Sequence, residues 1–75
     1  MIFHLNKDER KLLQDFNIDF RSDFDYSDDE AFALLDQVHD AEIFYAQDSD
    51  TNGRSRYMAN LYADLADKIQ SLIPG

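Results

Sequence analysis

Ser27-Asp28-Asp29-Glu30-Ala31-Phe32-Ala33-Leu34-Leu35 is the stretch on which the reading of this chain turns. Ser27 has the chemistry of a helix N-cap, and Glu30, three residues on, closes a capping box. Asp28 and Asp29 add negative charge at the positive end of the helix dipole. The apolar spacing that follows predicts a helix from Asp28 to about Gln47. Its apolar arc holds Ala31, Leu34, Leu35, Val38, Ala41 and Tyr45, widened by Phe32, His39, Ile43 and Ala46. Asp29, Asp36, Asp40 and Gln47 form a stripe on the opposite side. A helix with so wide an apolar arc needs other elements to cover it.

Downstream, residues 48–53 (Asp-Ser-Asp-Thr-Asn-Gly) have turn composition. A last helix is expected from about Arg54 to Leu72, with Met58, Leu61, Tyr62, Leu65, Ile69 and Leu72 on one stripe and an Asp64–Lys68 pair at i,i+4. A short turn between two long helices implies antiparallel packing. Upstream, Ile18, Phe20, Phe24 and Tyr26 fall on even positions with Asp19, Arg21, Asp23 and Asp25 between them. That is period two, the mark of an extended segment with one buried side. The only candidate strand partner is Ile2 to Leu5, so the favoured reading is an extended linker that lays aromatic side chains across the helices. A short two-stranded pairing is the alternative. Asn6 to Phe16 reads as a short helix, capped by Asn6 with Glu9 three residues later and stopped at Asn17 in the left-handed region. The expected fold is all-α, a small three-helix bundle: a short N-terminal helix, an extended aromatic segment, then a long antiparallel helical hairpin.

Seventy-five residues make one domain, residues 1–75. A core this small is marginal, and no cysteine is present to cross-link it or to hold a metal through thiolates. The lack of cysteine fits a reducing cytoplasm, the expected location. Aromatic residues at 13%, six Phe and four Tyr, supply large buried surfaces instead. No apolar run approaches the roughly 20 residues of a membrane span, and residues 1–6 lack the basic start and long apolar run of a signal peptide.

Charge is distributed unevenly. Residues 22 to 53 carry ten carboxylates and no Lys or Arg, while the rest has six acids and seven bases. The whole formal charge of −9 therefore comes from one central stretch. Such a field repels nucleic acid and anionic lipid and attracts basic surfaces. Direct nucleic-acid binding is disfavoured because no phosphate-contacting stripe is present. Membrane binding is disfavoured because the helices lack a basic polar face.

Few residues carry the marks of a chemical site. Asp48-x-Asp50-x-Asn52-Gly53 resembles the first half of the calcium loop of EF-hand proteins. The second half departs from it: Ser55 and Ala59 stand where the family has an aliphatic residue and a bidentate Glu, and Arg54 and Arg56 bring positive charge. The stretch is therefore read as an interhelical turn, with a weak cation site as the minor alternative and no metal ligand assigned. His4 and His39 lack helical metal-site spacing. His39 is read as a structural histidine paired to Asp36 or Glu42. Glu42 falls between Leu35 and Val38, inside the apolar arc, where a carboxylate is costly without a partner. Arg10, Lys11, His39, a Tyr hydroxyl or a second chain are its candidate partners. None of the serines sits in a nucleophile elbow and there is no Gly-rich phosphate loop, so no catalytic residue or cofactor is expected and the chain is read as not an enzyme. Phe44 falls on the polar side of the middle helix, near Gln37 and Asp40, as a binding anchor or as a ring covered by the aromatic segment or a partner subunit.

The leading expectation is a small acidic protein-interaction module, an adaptor or inhibitor docking on a basic protein surface. Asp29, Asp36, Asp40, Phe44, Asp48 and Asp50 are the residues expected to meet the partner. A sharper version is mimicry of nucleic acid, with helical carboxylates standing in for phosphates against a nucleic-acid-binding protein. In length, acidity and lack of cysteine the chain is similar to phage- or mobile-element-encoded antagonists of host nucleases and other defence proteins, a likeness of profile that covers no motif. The alternative is a structural homodimeric helical subunit, with a shared core and no charge-dependent partner.

Overall fold

The computed structural model describes residues 1–47 and 53–74. Three helices appear in the expected places: α1 (Lys7–Asp15), α2 (Asp28–Ala46) and α3 (Arg54–Leu72). The protein is an all-α, three-helix bundle, with no strand among the described residues.

Local chemistry sets the helix ends. The Asn6 side chain accepts from the Glu9 backbone N–H, and the Glu9 side chain accepts from the Asn6 N–H, each at 2.8 Å. Ser27 and Glu30 make the same reciprocal pair at 3.2 Å. These boxes satisfy backbone donors that a helix start otherwise leaves open. Asn17 follows α1 with φ of 56°, a conformation that Asn tolerates better than most residues. The N-cap of α3 is Gly53, at φ of 74°, which costs glycine little.

The long helices are antiparallel. Tyr45, near the end of α2, stacks on Tyr62 of α3 with ring centroids 5.6 Å apart. Phe32, near the start of α2, shares a hollow with Gln70 in the last turn of α3 and with Ile73 and Pro74 beyond it. Leu34, Val38, Tyr62, Leu65 and Ile69 are fully buried, joined by Leu13 of α1 and Phe3 of the N-terminal segment. α1 is tied across the hairpin by two bonds. The Tyr62 hydroxyl donates to the Leu12 carbonyl at 2.6 Å, and Lys68 Nζ donates to Glu9 Oε1 at 2.7 Å. Lys68 thus pairs with Glu9 rather than with Asp64, the expected partner. Asp64 is exposed, whereas the partly buried Glu9 also holds the α1 cap and gains more from a cation.

The segment between α1 and α2 is extended and irregular. Ile18 and Tyr26 are buried and Phe20 and Phe24 half-buried, while Asp19, Arg21, Asp23 and Asp25 face water. The period-two pattern therefore marks one buried side. Pairing with the N-terminal segment is confined to one residue pair: Tyr26 N–H donates to the Met1 carbonyl at 2.6 Å, and the Met1 amine donates to the Tyr26 carbonyl at 2.7 Å. Tyr26 gathers Phe3, Phe20 and Phe24 around its ring, with centroids 4.9 to 5.9 Å away. Its hydroxyl accepts from the Arg21 backbone N–H at 2.9 Å.

Candidate protein-interaction surface

Helix α2 positions four of the six residues singled out for partner binding, Asp29, Asp36, Asp40 and Phe44. Asp29, Asp36 and Asp40 are exposed and share its outer ridge. At about 1.5 Å per residue they stand roughly 10 Å and 6 Å apart along the axis. Among the described residues the ion pairs are Lys68–Glu9 and Met1–Asp25, so none of the three is neutralised by a cation. Asp48 and Asp50 lie outside the described residues, as does most of the calcium-loop-like stretch.

Phe44 is 58% exposed. One edge rests on Phe16, which follows α1, with centroids 5.6 Å apart, and another on Tyr45 at 5.2 Å. The aromatic region covers part of the ring and leaves the rest in water. A ring held on one side and open on the other, beside carboxylates, has the form of an anchor with a polar rim.

His39 is exposed and has no carboxylate partner among the described residues. Glu42 is half-buried, one turn beyond the fully buried Val38. Among the described residues no hydrogen bond or ion pair joins it to Arg10, Lys11, His39 or a Tyr hydroxyl: the Tyr62 hydroxyl donates to Leu12 and the Tyr26 hydroxyl accepts from Arg21.

No protein-family model, curated protein or solved structure matches this chain. Among the described residues no group of three His, Asp or Glu side chains is placed to hold a metal ion, and no helix is long and apolar enough to cross a membrane. Among the described residues two side chains titrate away from their ordinary values, and both are built into the fold. Burial pushes the Tyr62 hydroxyl up to about 12, helped by nearby Tyr45 and Asp15. Burial alone would raise Glu9, but the Lys68 ammonium and the Asn6 N–H outweigh it and hold the carboxyl below its usual range.

Sequence reasoning missed two parts of this surface. Phe32 and Ile43 widen the apolar arc in the sequence, yet they are 50% and 51% exposed. Ala59 and Ala66, left out of the α3 stripe, are buried. Their signal was present: Ala59, Tyr62, Ala66 and Ile69 repeat at helical spacing. Small side chains weigh little when only large apolar residues are counted.

Proposed function

We propose that this protein is a small acidic interaction module, an adaptor or inhibitor that docks on a basic protein surface. The supporting observation is the outer ridge of α2, where Asp29, Asp36 and Asp40 are exposed and unneutralised on one rigid helix. Phe44 stands half-supported beside them. Fixed carboxylates steer a basic partner into encounter and reject acidic ones, while an aromatic anchor supplies short-range affinity. Spacing favours a protein partner over strict mimicry of nucleic acid. Along the outer ridge Asp29, Asp36 and Asp40 stand roughly 10 Å and 6 Å apart, wider than the about 3.4 Å between phosphates along each DNA strand.

The test is a pull-down from host lysate with the wild type and a variant carrying Asp29→Asn, Asp36→Asn and Asp40→Asn, at low and high salt. The expected result is a basic protein held by the wild type and released by the variant or by salt. A captured protein that normally binds DNA or RNA, and is displaced by it, would restore the mimicry version. If nothing charge-dependent is captured, the acidic ridge serves solubility and the module reading falls.

A further inference from the structure

Helix α1 ends in a Schellman turn. Asn17, at φ of 56°, reverses the chain. The Ile18 N–H donates to the Leu13 carbonyl at 2.8 Å, and the Asn17 N–H donates to the Gln14 carbonyl at 3.0 Å. The apolar pair that accompanies this motif falls on Leu13 and Ile18, both buried. The reversal brings residues 19 to 22 beside α1, and a hollow of about 320 Å³ lies between them. Leu13 and Ile18 are the buried part of its lining, and Phe20 is half-buried. Arg10 and Asp19, both exposed, bring opposite charges to the rim. Neither charge is used by the fold. Among the described residues the ion pairs are Lys68–Glu9 and Met1–Asp25, and the cation over an aromatic ring is Arg21, not Arg10. Arg10 and Asp19 therefore share one rim without pairing with each other.

We propose that this hollow binds a small apolar zwitterion, an α-amino acid or a dipeptide with aliphatic side chains. The two rim charges select the ligand's charges. A simple anion meets Asp19 and a simple cation meets Arg10, so each is penalised by one of them. A zwitterion satisfies both. Its carboxylate faces the guanidinium of Arg10, whose fork matches a carboxylate with two parallel bonds, and its ammonium faces Asp19. Size selects a small ligand. A volume of about 320 Å³ is at the lower end of the roughly 300–1,000 Å³ of ligand pockets. The ligand's apolar part rests on Leu13, Ile18 and Phe20. Phe20 is itself held in place, stacked on Tyr26 with ring centroids 5.9 Å apart. Gln14 and Ser22 add uncharged polar groups to the lining, partners for the amide of a dipeptide. No residue of α2 or α3 lines the hollow, so the proposal does not depend on the acidic ridge.

The probes are leucine, leucyl-leucine, leucinamide, which lacks the carboxylate, and 4-methylpentanoate, which lacks the ammonium. Each is titrated into the isotopically labelled full chain and followed by amide chemical shifts. Physiological salt screens the general attraction of a cation to a chain of formal charge −9. Expected are saturable shifts at Leu13, Ile18 and Phe20 with leucine or leucyl-leucine, with a Kd on the order of 1 mM for so few ligand atoms. The tighter of the two shows whether the site takes the free amino acid or the dipeptide. Leucinamide and 4-methylpentanoate should bind about fivefold more weakly, the size of an exposed charge pair. Arg10→Gln should weaken leucine about fivefold and leave leucinamide unchanged. Asp19→Asn should weaken leucine equally and leave 4-methylpentanoate unchanged. Such a split by ligand charge does not arise from damage to the fold. Asp36→Asn, on the outer ridge of α2, should change none of these. A single-charge analogue that binds as tightly as both zwitterions overturns the proposal, as does indifference to Arg10→Gln and Asp19→Asn. Shifts confined to other surfaces, or no saturation by roughly 20 mM ligand, about twenty times the expected Kd, overturn the site itself.

Discussion

At Glu9 one carboxylate oxygen accepts from the Asn6 backbone N–H at 2.8 Å and from the Lys68 ammonium at 2.7 Å. The same atom therefore starts α1 and fastens it to α3. Its pKa lies below the ordinary 4.5, so the contribution is present above that pH and lost as pH falls through the folded value. Glu9→Gln should cost about 1 kcal/mol at neutral pH, between a surface pair and a charged hydrogen bond. The difference between wild type and variant should vanish in acid, as read by urea unfolding at several pH values. Tyr62 has the opposite dependence. Its folded pKa of about 12 stands above the ordinary 10. Stability from the neutral hydroxyl is full below pH 10 and declines as pH rises from 10 through 12, because the unfolded chain ionises first. Tyr62→Phe should lose about 1 kcal/mol with the bond to Leu12 and should lack that alkaline decline, a difference visible in melting temperature against pH.

At the scale of elements, the helix boundaries were legible because they are local. Asn6 with Glu9 and Ser27 with Glu30 form boxes within four residues, whatever the rest of the molecule does. Ser27→Ala should cost about 1 kcal/mol and lower the melting temperature by roughly 4–8 °C in a domain of this size, measured by calorimetry. The faces were less legible. Counting large side chains centres the α3 stripe near Leu65, with Leu61 and Leu72 on one edge, but Leu72 is 45% exposed and Ala66, beyond the other edge, is buried. The buried side is turned toward the alanines, where α2 approaches closely. Which side of the hairpin α1 would take was not written locally either. It depends on Tyr62, Lys68 and Phe44 meeting Leu12, Glu9 and Phe16 from distant parts of the chain. The exposure of Ile43, by contrast, was legible, since at about 100° per residue it falls about 20° from Asp36 on the acidic stripe.

At the scale of the whole molecule, the shortest extent is 18 Å, the thickness of two helical layers with axes about 8–10 Å apart plus side chains. A plate this thin has little interior, and a chain of this length is expected to be stable by only about 4–11 kcal/mol. Phe3 is fully buried and packs on Tyr26 with centroids 5.3 Å apart. Phe3→Ala should cost about 3–5 kcal/mol, enough to populate the unfolded state measurably at room temperature, as chemical denaturation would show. The stacked Tyr45 and Tyr62 rings, 11° from parallel, carry one more consequence. The chain has no tryptophan, so two coupled phenol transitions held in a fixed chiral arrangement should dominate its near-ultraviolet circular dichroism. The native protein thereby contains its own optical gauge of whether the two long helices remain in register.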